Sequence, residues 1–563
     1  MESTILQSAN ISAEEDVRSK KYLIPKRVVW KAGHLHNEEV LLHDRVAQPT
    51  LEEKDYMLLK NREGAETGIL FDFGIETHGG IQLTAIHCGN NPSVNIRIRF
   101  GESAAEAMAD IDETSTAAND HAIRDMVVPI SALNKMEIGE TGFRFVRIDL
   151  LGENKELAVS SLKASLIYHD IEYRGTFTSN DERLNKIWKT GAYTVHLNMQ
   201  EFVWDGIKRD RLVWIGDMHP EISTIQSVFG YHSSVPKSLD LIRDNTPLPG
   251  FMNNYPTYSM WWVIIQYDWF FYTGDKRYLQ EQRDYLIGLL DLLSSYVKED
   301  GTNHLPNPFI DWPTSSNEEA VRAGVHSILL LAFQKGKKLM EILDEEAQAE
   351  KYETVIQQLS AYIPDPKGSK QAGALRVLAG LMEAEKENKH LLSGNLNGIS
   401  TFLGYYVLLA KAKAGDIQGS LDIIREYWGA MLDLGATTFW EHFDINWIKS
   451  AARIDELPKG NQIDVHGTYG DYCYKGYRHS LCHGWASGPT AWLSEYVLGI
   501  HITEPGCRKV EINPHLGDLE WAEGAFPTPH GVIKVHHQKR EDGSILSEVA
   551  APEEVEVIIL PQQ

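Results

Sequence analysis

The segment Asp205-Gly-Ile-Lys208-Arg209-Asp210-Arg211-Leu-Val-Trp214-Ile-Gly-Asp217 gathers three carboxylates, three cations and a tryptophan into thirteen residues. Burying any of these charges unpaired is costly, yet Leu212, Val213 and Trp214 require part of the segment to pack. A partly dry, charge-rich pocket follows. Such pockets shift carboxylate ionisation and line sugar sites, where aromatic faces stack on the ring while carboxylates and Arg hold hydroxyls. An ion-pair network at a helix junction has the same composition and is the competing reading.

Three further clusters of acidic, aromatic and imidazole side chains weigh in. Glu221 follows the first segment; Phe309-Ile-Asp311-Trp312-Pro313 forms a second cluster and Thr437-Thr-Phe-Trp440-Glu441-His442-Phe443 a third. The fourth is His479-Ser-Leu-Cys482-His483-Gly-Trp485-Ala-Ser-Gly488-Pro489. Glycoside hydrolysis uses this inventory well: one carboxyl protonates the leaving oxygen, another handles water, and Trp and His hold the sugar. If the configuration inverts, the two carboxyls come from different clusters, about 6.5 to 9.5 Å apart, with water beside one of them. Asp210 and Glu441 are such a pair. His479 and His483 also stand four apart, as helix-borne metal ligands can, with Cys473 and Cys482 nearby. No acidic third ligand has motif spacing, so a hydrogen-bonded or substrate-binding His is expected, with no metal and no cofactor.

Positioning these clusters takes a large scaffold. At 563 residues the chain suggests roughly two to four domains. From about 20 to 175 it reads as β-structure: Val94-Asn-Ile96-Arg-Ile98-Arg-Phe100 and Val146-Arg-Ile148-Asp-Leu150 alternate with period two, and a sandwich is the simplest architecture. Near residue 179 the period changes. Ser179-Asn-Asp-Glu182 has capping-box spacing, and Leu184, Ile187, Trp188, Gly191, Ala192 and Val195 recur at helical intervals behind it. Amphipathic helices are expected at 258–272, 276–298, 318–345, 347–361, 371–387, 398–413, 418–433 and 484–497, punctuated by Thr-Gly-Asp275 and Ala-Gly-Asp416. With those flanking the charged segment they number about ten to twelve, enough for a closed barrel of helical hairpins whose loops converge at one end. Trp261-Trp262 reads as core. After 501 the strand pattern returns, with hairpins expected over 532–535, 545–549 and 555–560. The division is an N-terminal tail (1–20), a β-sandwich domain (21–176), a helical barrel (177–500) and a small C-terminal β-domain (501–563).

A net charge of −25 disfavours nucleic acid and other anionic polymers as partners. The four cysteines form no CxxC pair, and reduced thiols are expected. Neither a basic-then-apolar leader nor an apolar run of spanning length is visible, so the expected location is cytoplasmic, or periplasmic or secreted if a leader has been removed, with no membrane partner.

The spaced motifs together resemble the α-L-rhamnosidases of glycoside hydrolase family 78. The resemblance rests on Asp-Gly-x-Lys-Arg-Asp-Arg-x-x-Trp-x-Gly-Asp at 205–217, Asp311-Trp312, Ala436-Thr-Thr-Phe-Trp-Glu441 and Ser480-x-x-His483-Gly-Trp. It extends upstream to Phe71-Asp-Phe-Gly74 and Thr141-Gly-Phe-Arg-Phe-Val146, which are similar to a β-sandwich preceding the family's catalytic barrel. It implies an (α/α)6 barrel flanked by β-domains, acting as an exo-glycosidase that releases terminal α-L-rhamnose from a glycoside or oligosaccharide, with inversion and without metal. Glu441 matches the family's general base, Asp205, Arg209, Trp214 and Asp217 match sugar-binding positions, and Trp440 and His483 match pocket positions, with Asp311 and Trp312 lining the same pocket. Many members read Arg-Asp-Glu-Arg where this chain reads Arg209-Asp210-Arg211; counted back from Trp214, Asp210 takes the acid's position, with Asp217 and Glu221 as substitutes. An acid must hold its proton near neutral pH, so Asp205 and Asp217 have to outweigh the arginines. The expectation is that Arg209 grips substrate hydroxyls while Arg211 pairs with another carboxylate. The alternatives are a rhamnose-binding protein that has lost catalysis and a different exo-glycosidase on the same barrel.

Overall fold

The computed structural model describes residues 15–62, 66–111, 119, 121–394 and 396–561. Residues 1–14 of the expected tail lie outside them, and the first strand already begins at Ser19. The β-rich region forms one antiparallel hydrogen-bonded network of nine strands built around Thr67–His87, which pairs with Arg27–Ala32, Asn134–Leu150 and Glu156–Tyr168. Bulges after Asp72 and Gly79 shift its register, and such extra residues bend a strand. Ile69, Phe71, Ile81 and Leu83 share a core with Ile96, Ile98, Phe100, Val146 and Ile148, the alternation visible in the sequence. Its other face meets the helices: the Arg144 guanidinium holds Asp72 at 2.7 and 3.0 Å and donates to the carbonyl of Gly435 at 3.0 Å.

The helical region opens at Glu182, and its N-cap is Asp181, not Ser179. The Asp181 carboxylate accepts from the N–H groups of Arg183 and Leu184, whereas Ser179 binds the Asn185 side chain. Six helices, Met218–Val228, Pro256–Thr273, Glu318–Ile342, Lys370–Leu378, Gly404–Lys413 and Gly488–Trp492, pack each on the next, and the last returns to the first. Outer partners such as Lys276–Ser294 and Glu346–Ala361 pair with them, which is the (α/α)6 plan. Pro256–Thr273 is buried on nearly every side, with Trp261, Trp262 and Trp269 among the largest buried side chains; each such burial stabilises the fold by about 1.5 to 3 kcal/mol. It stops at Gly274, whose φ of 68° few other residues adopt cheaply, and Asp275 then caps the following helix through the N–H of Tyr278. Gly415 and Asp416 repeat the device before Ile417–Ile423. The expected helix 371–387 is two pieces, Lys370–Leu378 and Ala384–Glu387, interrupted at Gly380 with a φ of 78°.

Two pairings near the C-terminus depart from the sequence reading. Thr176–Ser179 joins Trp521–Thr528, Gly531–Lys539 and Ile545–Ala550 as an edge strand of their sheet. Glu556–Ile559, expected in a hairpin, runs parallel to Lys509–Ile512 instead. No helix among the described residues is long and apolar enough to cross a membrane.

Candidate functional site

Three of the four clusters meet at one end of the helical ring through backbone bonds, and Asp311 is tied to the same region through the Ser400 hydroxyl, whose neighbour Thr401 bonds the Glu441 carbonyl. Gly484 N–H donates to Asp205 O at 2.9 Å, His483 N–H to Phe439 O at 3.0 Å, and Glu441 N–H to Ser480 O at 3.0 Å. Gly206 and His483 form a β-bridge. The Glu441 carbonyl, in turn, accepts from the Thr401 hydroxyl (2.6 Å) and the Trp485 indole (3.0 Å). Its backbone is thus held independently of its side chain.

His483 is the hub. Its Nε2 lies 3.8 Å from Asp205 Oδ2, 3.8 Å from Asp217 Oδ2 and 3.7 Å from Glu441 Oε1, and its ring rests on Trp485. Arg209 is the second junction: its guanidinium donates to Asp210 Oδ1 at 3.2 Å, to Glu441 Oε1 at 3.1 Å and to the carbonyl of Arg478 at 2.6 Å. Ser480 N–H reaches Glu441 Oε2 at 3.0 Å, so both Glu441 oxygens accept from donors. Tyr258 OH donates to Asp217 Oδ1 at 2.9 Å and Leu212 N–H to Asp205 Oδ1 at 3.0 Å.

Burial dominates the electrostatics. It pushes the carboxyls of Asp205, Asp217 and Glu221 well above the usual range, and neighbouring carboxylates push the same way. Protonated, each offers an O–H donor as well as an acceptor, which suits a sugar hydroxyl. Burial, then Arg209, pulls His483 down to about 3 despite the acidic neighbours. With burial and Arg209 both acting against the charge, the acidic neighbours do not hold an imidazolium.

A sign for stability follows. His466 is also pulled down to about 3 by burial, against about 6.5 for a free imidazole. The unfolded chain therefore binds more protons in that interval, and the contribution of both histidines, complete above about pH 6.5, is lost as pH falls toward 3. The raised carboxyls act oppositely, contributing fully below about pH 4 and losing that contribution as pH rises through their elevated values. The two sets oppose each other between about pH 4 and 6.5, so the imidazole part is isolated by comparison with His466→Gln: the wild type's melting temperature relative to that variant should decline as pH falls from about 6.5, and a difference independent of pH would count against a neutral buried imidazole.

Asp210 is partly buried and differs from its neighbours in backbone. It and Arg211 both have positive φ, 57° and 54°, and for residues other than glycine each such conformation costs on the order of 1 kcal/mol. The Asp210 carboxylate touches the imidazole of His121, which comes from the β-rich region. Among the described residues Arg211 pairs with no carboxylate, contrary to expectation. Its side chain donates to the carbonyls of Glu140 and His121 at 3.3 and 3.4 Å and lies 5.7 Å over the Trp204 ring, because the αL turn aims it at the β-region.

The remaining predicted residues divide. Trp214 packs edge-on against Tyr258 beside Asp217. Trp440 is buried against Phe443 and leaves its indole N–H without a partner. Asp311 is largely used by the fold: Oδ1 caps Thr314 N–H at 2.9 Å and Oδ2 accepts from the Ser400 hydroxyl at 3.1 Å. Trp312 stacks with exposed Tyr472 and meets Phe309 at an edge. Glu221 is fully buried beside Asn198 and pressed on Gly484, where a Cβ would stand 1.7 Å from Oε1. His479 and His483 do not converge on one point: His479 Nε2 accepts from His442 N–H at 2.9 Å.

Sequence reasoning missed Tyr258, hidden in an apolar helix, and His121, which has no local signal because its partner lies in another region. It also left Lys208 without a role. That ammonium sits among fully buried Glu102, Glu106 and His466, whose ligating atoms lie within 4.8 Å of one another, and its charge, with that of Arg124, balances theirs.

Comparison with known proteins follows the same lines. Residues 172–497 match the family model described as the bacterial α-L-rhamnosidase six-hairpin glycosidase domain, and 499–563 match that of the bacterial α-L-rhamnosidase C-terminal domain. An α-L-rhamnosidase of Alteromonas sp. is 24% identical over 479 residues, covering 75% of this chain and 48% of the relative; one from Formosa agariphila is 24% identical over 473, covering 75% and 47%. The chain thus spans about half the length of these curated relatives. Among solved structures, the family 78 rhamnosidase of Bacillus sp. GL1 superposes with a TM-score of 0.73 at 21% identity, covering 91% of this chain and 55% of the other. The rhamnosidase of Klebsiella oxytoca, solved with rhamnose bound, gives 0.66 at 19%, covering 85% and 96%. At such identities the structural likeness speaks for the fold.

Proposed function

Since this chain belongs to the bacterial α-L-rhamnosidase six-hairpin glycosidase family, we propose that it is an exo-acting glycoside hydrolase releasing terminal α-L-rhamnose with inversion. Asp210 is the general acid and Glu441 the general base. The observation that carries the reading is the pairing of these two carboxylates on one guanidinium, Arg209, beside an imidazole that gathers Asp205, Asp217 and Glu441. The two carboxylates sit on different terminal nitrogens of that guanidinium; inversion further requires room for a water beside the base.

In this mechanism Arg209 turns from Asp210 to the hydroxyls of the bound sugar, and Asp210 gives its proton to the glycosidic oxygen as the bond to the anomeric carbon breaks. Glu441 takes a proton from the water attacking the opposite face. Asp205, Asp217, Trp214, Trp440 and His483 hold the ring, with Asp311 and Trp312 at its edge. The partner is a rhamnose-terminated glycoside, and buried acids whose ionisation is disfavoured suit its uncharged hydroxyls.

The experiment is turnover of a panel of p-nitrophenyl glycosides, with the first-formed sugar followed by proton NMR. Selective release from the α-L-rhamnopyranoside with the β-anomer appearing first is expected; the α-anomer first would sink inversion. No turnover with rhamnose still bound would favour a binding protein, and turnover of another glycoside a different exo-glycosidase.

A further inference from the structure

Residues 208 and 209 together grip three successive carbonyls of another segment. Lys208 Nζ donates to Tyr477 O at 2.7 Å and His479 O at 2.5 Å, and Arg209 Nε donates to Arg478 O between them at 2.6 Å. The next residue, Ser480, turns its N–H to Glu441 Oε2 at 3.0 Å, and Asp210 directly follows Arg209. The loop of the acid is therefore laced to the segment that supports the base.

The lacing is anchored from the β-rich region. Glu102 lies 3.0 Å from Lys208 Nζ, accepts from Leu481 N–H at 2.6 Å and from the Ser480 hydroxyl at 3.3 Å, and is fully buried. Glu106 is 3.3 Å from the same ammonium and 2.6 Å from Arg124. The Ser103 hydroxyl meets His466 Nδ1 at 2.7 Å, and His466 Nε2 meets His479 O at 2.7 Å. Lys208, also 3.4 Å from His466 Nε2, fills the middle of this group, so the acidic cluster is a closed ion-pair device. A buried charge cluster in which every member has a partner specifies one geometry, because any displaced member is left unpaired in a dry surrounding.

We propose that Lys208 and Glu102 are positioning residues for the reaction, holding the Asp210 turn and the Ser480–Glu441 contact in register, so that the N-terminal β-region is part of the catalytic apparatus. The inference rests on the acid and base assigned above. Neither residue touches substrate in this scheme. Their loss displaces Asp210 and Glu441 by fractions of an ångström, and misplacement of about 1 Å costs on the order of 10²-fold in rate.

The test compares Lys208→Met, Glu102→Gln, the double variant and Lys208→Arg with the wild type on an alkyl α-L-rhamnopyranoside, whose leaving oxygen needs the acid. The expected result for each single charge removal is a kcat lower by about tenfold or more, with KM and L-rhamnose affinity changed less than about threefold. The double variant should be no slower than the slower single, since it leaves Glu106 on Arg124 and removes both halves of one device, and Lys208→Arg should recover part of the rate. Wild-type kcat in folded variants, multiplicative losses in the double, or a raised KM at unchanged kcat would each overturn the proposal. If Lys208→Met does not fold, Glu102→Gln, isosteric and still an acceptor for Leu481 N–H, decides alone by the same criteria. A wild type that hydrolyses no rhamnoside fails the functional reading itself, and the positioning role with it; an active wild type with unaffected variants fails only the latter.

Discussion

Glu441→Gln should lower kcat by about 10³-fold or more while L-rhamnose still binds, the upper range for a single acid–base group. The amide keeps the shape and one acceptor, and the backbone of residue 441 is held by Thr401, Trp485 and Ser480, so the pocket survives the change. What disappears is the group that takes the proton from water. Calorimetric titration with L-rhamnose beside steady-state turnover separates the outcomes. Lost binding at preserved fold would place Glu441 among the residues that hold the sugar, and near-wild-type turnover would move the base elsewhere.

Asp210→Asn should be selective for the leaving group. With an alkyl rhamnoside, whose departing oxygen must be protonated, a loss of at least about 10² is expected. With the p-nitrophenyl glycoside, whose phenolate leaves readily without a proton, the loss should be much smaller. A variant of a residue that only holds the sugar lowers both rates alike, which makes the ratio diagnostic. Asp217→Asn and Glu221→Gln are the comparisons. The leaving-group signature in either would transfer the acid's role, and for Glu221 the buried carboxyl facing Gly484 argues against it.

Much of the scaffold is legible along the chain because its causes are local. Gly274 and Asp275 end one helix and cap the next within a few residues, and so do Gly415 and Asp416. The alternation in Ser93–Gly101 buries Val94, Ile96 and Ile98 as it must. The capping box at Ser179 shows the limit of such rules: Asp181 also has a short acceptor and stands nearer the helix start, so it takes the cap. Thr176–Ser179 and Glu556–Ile559 went astray for a different reason, since their partners are hundreds or tens of residues away and strand pairing leaves little trace in one strand's own pattern.

The candidate site divides in the same way. Side-chain type and spacing marked the four clusters, because few other chemistries need so many carboxylates beside tryptophan and histidine, and the motif spacing carried the family likeness. By itself, then, the sequence determined the Gly-Asp helix boundaries, the strand alternation, the family and the residues from which a site is built. Only the tertiary structure decided how they are used: Arg209 shared by Asp210 and Glu441, Arg211 turned to the β-region, Asp311 used largely as a cap, Lys208 sealed among Glu102, Glu106 and His466. Charge type is a property of a residue, but its ionisation and partners depend on what else is buried within a few ångströms, and those neighbours come from segments that meet only when the chain has folded.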